Sequence, residues 1–181
     1  MKNSKTHIVT GVVRLSYPHV YEPYAIGDGE PKYSVSIIIP KEDEKTIKKI
    51  YAAVDAAIED GKSKFGKKVN TASLKLPLRD GDTEKEDEAY ENSYFLNANS
   101  KQKPQVVDKN VDPILDEDAI YPGVYARVSL NFYAFSVNGN RGVAVGLGNI
   151  QKIKDGPMLG GRTKASDDFD AFGDDNDDFL D

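Results

Sequence analysis

The chain has no cysteine and only two histidines, His7 and His19. Without cysteine there can be no disulfide framework and no zinc–thiolate site. Two histidines are too few for most histidine-rich metal sites, and each is expected to have an ordinary surface or hydrogen-bonding role. We therefore expect neither a metal nor a cofactor.

Long apolar stretches are missing as well. No run of about 18 apolar residues occurs, and the N-terminal MKNSKTHIV has no apolar segment behind its lysines. Neither a membrane span nor a signal peptide is indicated, so we expect a soluble protein without a membrane partner. With 181 residues and 39% hydrophobic content, the chain can bury one core.

Cations are missing from the last fifteen residues, 167–181, which read DDFDAFGDDNDDFLD and include eight aspartates. The whole chain has 24 Lys and Arg against 30 Asp and Glu, so residues 1–166 carry 24 basic against 22 acidic residues. A block of like charge this dense is predicted to be disordered. It is either a solubility tail or a polyanion that competes with nucleic acid and offers apolar side chains to partners. The residues assigned to partner contact are Asp174, Asp175, Asp177, Asp178, Phe179, Leu180 and Asp181.

Apolar periodicity predicts a mainly β domain over residues 1–154, followed by a Gly-rich linker at 155–166. Alternation predicts strands at 6–16, 32–39, 94–100, 124–135 and 142–153, with a short one near Val106. Spacings of three and four from Ile47 to Ile58 predict one covering helix that begins after Asp43 and ends at Gly61.

Two intervening segments are predicted to be loops. Residues 17–33 contain three prolines and two glycines, and they carry Tyr17, Tyr21 and Tyr24. Residues 79–91, RDGDTEKEDEAYE, are predicted to be a solvated acidic loop.

The segment 61–68, GKSKFGKK, has the glycines and lysine of a phosphate-binding loop. Lys68 stands where that loop needs a Ser or Thr hydroxyl to hold magnesium, and the segment follows a helix instead of a strand. A nucleotide-hydrolysing loop is therefore rejected. The four lysines around Phe65 remain as a basic patch for phosphate contacts.

The strongest signal is a long hairpin over residues 121–153 that turns at Asn138-Gly139-Asn140. One face of its first strand is apolar, whereas the other carries Tyr125, Arg127, Tyr133 and Phe135. Rings for base stacking and cations for phosphates are typical of a single-strand binding surface. The alternative is that this second face packs under the helix or a loop.

Three stretches carry a family resemblance: VVRLSYPHVYEP, YFLNANSKQKPQVVD and YPGVYARVSLNFYAFSVNGNRGVAVGLGNIQKIKDGPMLGGR. Over residues 6–162 they resemble a family of phage-encoded single-stranded DNA-binding proteins, once catalogued only as a domain of unknown function. The acidic aromatic tail is similar to the C-terminal tails of phage and bacterial single-strand binding proteins. Those tails usually end on Phe, whereas here Phe179 is followed by Leu180 and Asp181.

The resemblance implies an OB fold, which is a five-stranded Greek-key barrel with a helix between strands. It also implies single-stranded DNA binding in phage replication and recombination, in the cytoplasm of the infected bacterial host, and no enzymatic activity.

We predict that the strand face, the tyrosine loop and the lysine patches form one DNA-binding groove, with replication proteins as further partners of the tail. The predicted DNA-binding residues are Tyr17, Tyr21, Tyr24, Lys62, Lys64, Phe65, Lys67, Lys68, Lys101, Lys103, Tyr125, Arg127, Tyr133, Phe135 and Arg141. A protein-interaction or assembly module is the main alternative. An acid-cluster nuclease using Asp80, Asp82 and Glu84 is disfavoured, because these acids lie in a predicted turn without a supporting strand.

Overall fold

The computed structural model describes residues 5–25, 27–66, 70–159 and 168–173, and these form a mainly β structure. The strands are β1 His7–Val9, β2 Val13–Tyr24, β3 Lys32–Pro40, β4 Arg79–Asp80, β5 Ser93–Ser100, β6 Val106–Val107, β7 Tyr125–Val137 and β8 Asn140–Lys154. The α-helices are α1 Glu44–Asp60, α2 Lys62–Phe65 and α3 Gly81–Glu84.

Five of the strands close into a ring. β2 pairs with β3, β3 with β5, and β7 with both β2 and β8, and all of these pairs are antiparallel. A parallel pairing of β5 with β8 completes the ring. The short strands β1, β4 and β6 pair with β7, β5 and β8 respectively. A closed ring protects the backbone groups that an open sheet would expose at its edges.

Alternating aliphatic side chains fill the ring. On β7, every second residue from Ala126 to Ala134 is buried, as the alternation predicts. Helix α1 covers the ring with Ile50, Ala53 and Ala57, which are all buried. The predicted helix start is confirmed, because the Asp43 carboxylate accepts a hydrogen bond from the Thr46 amide at 3.2 Å.

The long hairpin is also confirmed. Val137 pairs with Asn140, so the turn contains only Asn138 and Gly139, whose φ angles are 51° and 81°. Positive φ at both central residues is the two-residue turn that matches the twist of paired strands.

The predicted strand at 6–16 is broken at Gly11 into β1 and β2. The Gly11 amide donates to the Thr46 hydroxyl at 2.9 Å, and a Cβ there would meet the Asp43 carboxylate at 2.9 Å. The chain thus passes close to the start of α1, where a side chain larger than that of glycine would press on the Asp43 cap.

The prediction of a loop after residue 16 is wrong, since β2 runs on to Tyr24. Pro18 and Pro23 are tolerated because the pairing of β2 with β3 shifts register on either side of His19. Proline lacks the amide that a regular ladder needs, and such irregular pairings are where it is accepted.

The prediction of a solvated loop at 79–91 is also wrong. This segment contains β4, α3 and a 3₁₀ turn, Glu88–Tyr90, that buries the Tyr90 ring against Ile38 and Phe95 on the outer side of the sheet. The Tyr90 and Ser36 hydroxyls are hydrogen-bonded at 3.1 Å. One buried aromatic ring anchors a segment whose sequence is otherwise acidic.

The described part of the chain contains no helix that is long and apolar enough to cross a membrane. The predicted linker is described only as far as Leu159. Every tail residue assigned to partner contact lies outside the described residues, so the tail and the domain boundaries stay predictions.

Candidate nucleic-acid interface

A groove of about 570 Å³ crosses the outer face of β3 and β5. Its floor is made of Ser34 and Ser36 from β3 and Asn97 and Asn99 from β5. Ser34 lies opposite Asn99, and Ser36 opposite Asn97. These side chains point outward because they alternate along their strands with buried aliphatic residues.

One wall of the groove is aromatic and comes from β2. The rings of His19 and Tyr24 stack with centroids 4.3 Å apart and planes 10° apart. Tyr17 and Tyr24 are 61% and 54% exposed. Tyr17 has a φ of 47°, next to the first register shift of β2, and it lines the groove together with His19. The groove therefore has ring surface open to solvent along one side.

Lys85 also lines the groove. Its Nζ lies 5.2 Å from the ring centroids of both Tyr90 and Phe95. Cations at this distance from a ring are attracted by its negative face, which orients the lysine. The segment that carries Lys85 packs through the buried Tyr90 ring, so its position over the groove is fixed by the fold.

Lys41 ties this segment to the end of β3. Its Nζ contacts Asp80 at 2.9 Å and Asp82 at 2.8 Å. Hydrogen bonds from Lys41 and from the Asn92 amide lower the pKa of Asp82. The two carboxylates raise the pKa of Lys41 in turn. Asp80 and Asp82 thus fasten the wall that carries Lys85.

The same contacts bear on the nuclease alternative. Asp80 and Asp82 are paired with Lys41, and Glu84 is paired with Arg79 at 2.6 Å. Among the described side chains, no group of three or more His, Asp or Glu is placed to hold a metal ion. The three carboxylates act here as ion-pair partners of the fold.

The groove can contact a nucleic-acid strand in three ways. Exposed rings can stack on bases of any sequence. The side chains of Ser34, Asn97 and Asn99 both donate and accept hydrogen bonds, so they can adapt to different base edges. Ser36 is only 6% exposed, and its hydroxyl is already bonded to that of Tyr90. Lys85 can contact a phosphate. None of the described residues that line the groove is acidic.

An acidic hollow lies on the far side of Tyr17 and His19, and it is lined by Asp116, Glu117 and Asp118 among others. The three carboxylates repel phosphates. A polyanion would therefore be repelled less in the groove on β3 and β5 than in this hollow. Tyr17 and His19 lie between the two surfaces, which differ in charge.

The structure divides the three predicted β2 tyrosines. Tyr17 and Tyr24 line the groove, whereas Tyr21 lines a separate hollow beside Lys103. The Tyr21 hydroxyl donates to the Asp116 carbonyl at 3.3 Å, and burial raises the pKa of this hydroxyl. The Lys103 Nζ lies 5.9 Å from the Tyr21 ring centroid.

The described residues of the predicted basic patch at 61–68 contact other residues of this chain. Lys62 pairs with Glu59 at 3.0 Å, and the Lys64 Nζ donates to the Ala134 carbonyl at 3.2 Å. Phe65 is only 2% exposed and packs with Leu74 and Ala134, so its assignment as a DNA-binding residue is wrong. Lys67 and Lys68 lie outside the described residues.

Other predicted cations also have partners within the chain. Lys101 pairs with Glu30 at 3.4 Å. An Arg141 Nη donates to the Phe65 carbonyl at 3.0 Å. Neither of them is among the described residues that line the groove.

The predicted face of β7 does not join Tyr17 and Tyr24 as one lining. Tyr125 has the Arg14 guanidinium 5.2 Å and the Lys154 Nζ 5.0 Å from its ring centroid. Arg127 donates from Nε to the Thr10 carbonyl at 3.1 Å. Phe135 is half-buried, whereas Tyr133 is 41% exposed. The single groove predicted from the sequence is therefore divided among several surfaces.

The sequence reasoning missed the polar floor, His19 and Lys85. Ser34 and Ser36 alternate with aliphatic residues, and so do Asn97 and Asn99. Small uncharged polar residues on two outward faces are a usable signal in a chain with 30% charged residues. His19 and Lys85 were not selected, and both lie in segments that the sequence indicated as loops.

A protein-family model described as the single-stranded DNA-binding protein of Enterobacter phage Enc34 matches residues 6–180. This chain belongs to the Enc34 family. The resemblance seen in the sequence is confirmed, and the match extends beyond residue 162 through nearly all of the acidic tail. Protein p50 of Acyrthosiphon pisum secondary endosymbiont phage 1 is 33% identical over 166 residues, covering 87% of this chain and 89% of that protein.

Solved structures agree with this family. The Enc34 protein in complex with single-stranded DNA is 25% identical, with a TM-score of 0.75, and the match covers 88% of this chain and 97% of that one. The Enc34 protein without DNA is 27% identical, with a TM-score of 0.71 and coverage of 94% and 97%. The single-stranded DNA-binding protein gp2.5 of bacteriophage T7 shares the fold, with a TM-score of 0.56 at 14% identity and coverage of 87% and 97%.

Proposed function

We propose that this chain binds single-stranded DNA without sequence preference in the groove on β3 and β5. The observation that carries the proposal is the composition of this groove. Two exposed tyrosines and a stacked histidine line one side, two serines and two asparagines form the floor, and Lys85 also lines the groove. Membership of the Enc34 family supports the proposal, because a relative that is 25% identical was solved in complex with single-stranded DNA.

We assign the ring of strands to the OB fold. The cyclic order β2-β3-β5-β8-β7 supports a five-stranded Greek-key barrel, with α1 inserted between the second and third strands. OB folds bind oligonucleotides on the face of their second and third strands. Those strands are β3 and β5 here, so the groove lies where this fold holds its ligand.

Binding without catalysis is the proposed activity. Each base stacked on a tyrosine contributes about 1–3 kcal/mol. Lys85 is the one cation among the described residues that line the groove. We therefore expect a shallower salt dependence than that of proteins with about 6–10 phosphate contacts.

The direct experiment is a titration of the full-length chain with labelled oligo-dT and with a duplex of the same length at low salt. Binding of the single strand, and its loss in Tyr24→Ala, supports the proposal. No binding of either nucleic acid contradicts it and favours the protein-interaction alternative.

We further propose that the acidic residues 167–181 compete with DNA for the groove and recruit replication and recombination proteins of the infected host cell's cytoplasm. The even charge balance of residues 1–166 supports this competition. The tail is tethered to the domain, so its carboxylates are present near the groove at an effective concentration of order millimolar, and the surface there has few cations. A chain ending at Ser166 should bind oligo-dT more tightly at low salt and should lose its replication partners in pull-downs. Equal affinities of the two chains would contradict competition.

A further inference from the structure

We propose that the bound strand leaves the groove across β8 and reaches Tyr133 on β7, which makes Tyr133 a second stacking position. This inference rests on the proposed function and adds a path to it. Tyr133 is 41% exposed, and it lies two ring strands away from β5.

The strand register connects the groove floor to β7. Asn99 pairs with Gly146, and Gly146 pairs with Asn131. Tyr133 pairs with Ala144, and each of the two lies two residues along its strand from the paired Asn131 and Gly146. Adjacent strands lie about 4.8 Å apart, so Asn131 is about 10 Å from Asn99 across the surface.

These residues all face outward. On β8, the neighbours Val143 and Val145 are buried in the core, and on β7 the same holds for Leu130 and Phe132. Side chains alternate along a strand, so the positions between them point to the outside. The outer face of β5, β8 and β7 is thus one surface that carries Asn97, Asn99, Ala144, Gly146, Asn131 and Tyr133.

Among the described glycines of β8, which are Gly142, Gly146 and Gly148, only Gly146 has room for an added side-chain atom. A Cβ on Gly142 would collide with the Lys75 backbone, and a Cβ on Gly148 would collide with the Ser129 hydroxyl. At Gly146, by contrast, a Cβ would lie 3.4 Å from the Asn131 carbonyl oxygen and 3.8 Å from Cε1 of Tyr133, which are ordinary contacts. The ring of Tyr133 therefore borders a small gap at Gly146, which is the one of these three positions with room for another atom.

The gap suits a continuing strand chemically. A base can stack on the exposed ring of Tyr133. The side chain of the exposed Asn131 accepts a hydrogen bond from the Thr6 hydroxyl at its Oδ1, at 3.3 Å, and its amide NH2 can donate to a base edge. Tyr125, on the same face of β7, already has cations at 5.2 Å and 5.0 Å from its ring centroid. The path therefore continues to Tyr133 and not to Tyr125.

The test is a series of oligo-dT lengths titrated against the full chain, with Tyr133→Ala compared to Tyr51→Ala, an exposed tyrosine of α1. Short oligonucleotides that fill only the groove should bind Tyr133→Ala as they bind the unmodified chain. Longer ones should lose about 5-fold or more in affinity, and Tyr133→Phe should restore it because a phenyl ring also stacks. Tyr51→Ala should match the unmodified chain at every length.

A second pair of variants blocks the path without removing a ring. Ala144→Glu and Ala144→Gln should both weaken binding of long oligonucleotides, and Glu should weaken it more because it also repels phosphates. Thermal unfolding of each variant checks that it is folded. If Tyr133→Ala and Ala144→Glu bind oligonucleotides of every length as tightly as the unmodified chain, while Tyr24→Ala binds them more weakly, the proposed path to Tyr133 is overturned and the proposed groove is not. Failure of the unmodified chain to bind any oligonucleotide would overturn the proposed function as well.

Discussion

Two surfaces of this molecule carry aromatic rings near cations, and they differ in what the rings already contact. In the groove, Tyr17 and Tyr24 are more than half exposed and line an open floor of Ser and Asn. On β7, Tyr125 lies between Arg14 and Lys154, and Arg127 is hydrogen-bonded to the Thr10 carbonyl. The first surface is open to a ligand, whereas the part of β7 that carries Tyr125 and Arg127 is occupied by its own chain.

The difference shows what a sequence pattern of rings and cations leaves undecided. The same residue types stabilise a fold when they contact each other, and bind a strand when they face solvent. Register decides between the two outcomes, because it determines which side chains become neighbours across strands. The following substitutions test this division, from the largest expected effect to the smallest.

Phe65→Ala should have the largest effect, and it should act on stability alone. The ring is 2% exposed, and removing a buried Phe typically costs about 3–5 kcal/mol of unfolding free energy. Chemical denaturation should show this loss, while the folded fraction should bind oligo-dT within about twofold of the unmodified chain. A large loss of affinity in folded protein would return Phe65 to the binding surface.

Tyr24→Ala should weaken binding of oligo-dT by about 1–3 kcal/mol, which is about 5- to 150-fold, because a stacking ring is removed. Fluorescence anisotropy measures this change. Tyr125→Ala is the matched control, since it should leave the affinity almost unchanged and instead lower the melting temperature by removing the contacts with Arg14 and Lys154. The reverse result for the pair would place the binding surface on β7.

Asn97→Asp should weaken binding by about 1 kcal/mol at low salt, since it replaces an amide with a carboxylate of the same size on the groove floor. The effect should decrease as salt screens the repulsion. Asn110→Asp, in a loop away from the groove, adds the same charge and should have no effect. Equal effects of the two variants would mean that only net charge matters.

The smallest effect concerns the wall that carries Lys85. The pKa of Asp82 is lowered in the folded chain, so its contacts stabilise the fold above the ordinary pKa of an aspartate. This stabilisation is lost as the pH falls through the lowered value. Hydrogen exchange should show amides of residues 81–90 opening in that acidic range, and Asp82→Asn should open them at neutral pH. Protection that does not depend on pH in this range would contradict the role of Asp82.

Much of the fold could be predicted because it depends on local patterns. The alternation on β7, the Asp43 cap and the Asn138-Gly139 turn each have one dominant physical cause. The continuation of β2 through Pro18 could not be predicted, because two register shifts remove the need for a regular ladder. Tyr90 could not be recognised as buried, since its partner Ile38 is distant in sequence.

The candidate site was predicted only in part for the same reason. Tyr17 and Tyr24 were selected as exposed rings, and both line the groove. The floor depends on the pairing of Ser34 with Asn99, which joins residues 65 positions apart in the sequence. Alternation predicts that each of them points outward, but the neighbour that it meets depends on the strand order.

Photo-crosslinking of the full chain to oligo-dT that carries a photoreactive thymidine, followed by peptide mapping, tests the groove most directly. We predict crosslinks at Tyr17, His19 and Tyr24 on β2. Crosslinks confined to Tyr125 and Arg127, with none on β2, β3 or β5, would contradict the assignment of the groove as the DNA-binding surface.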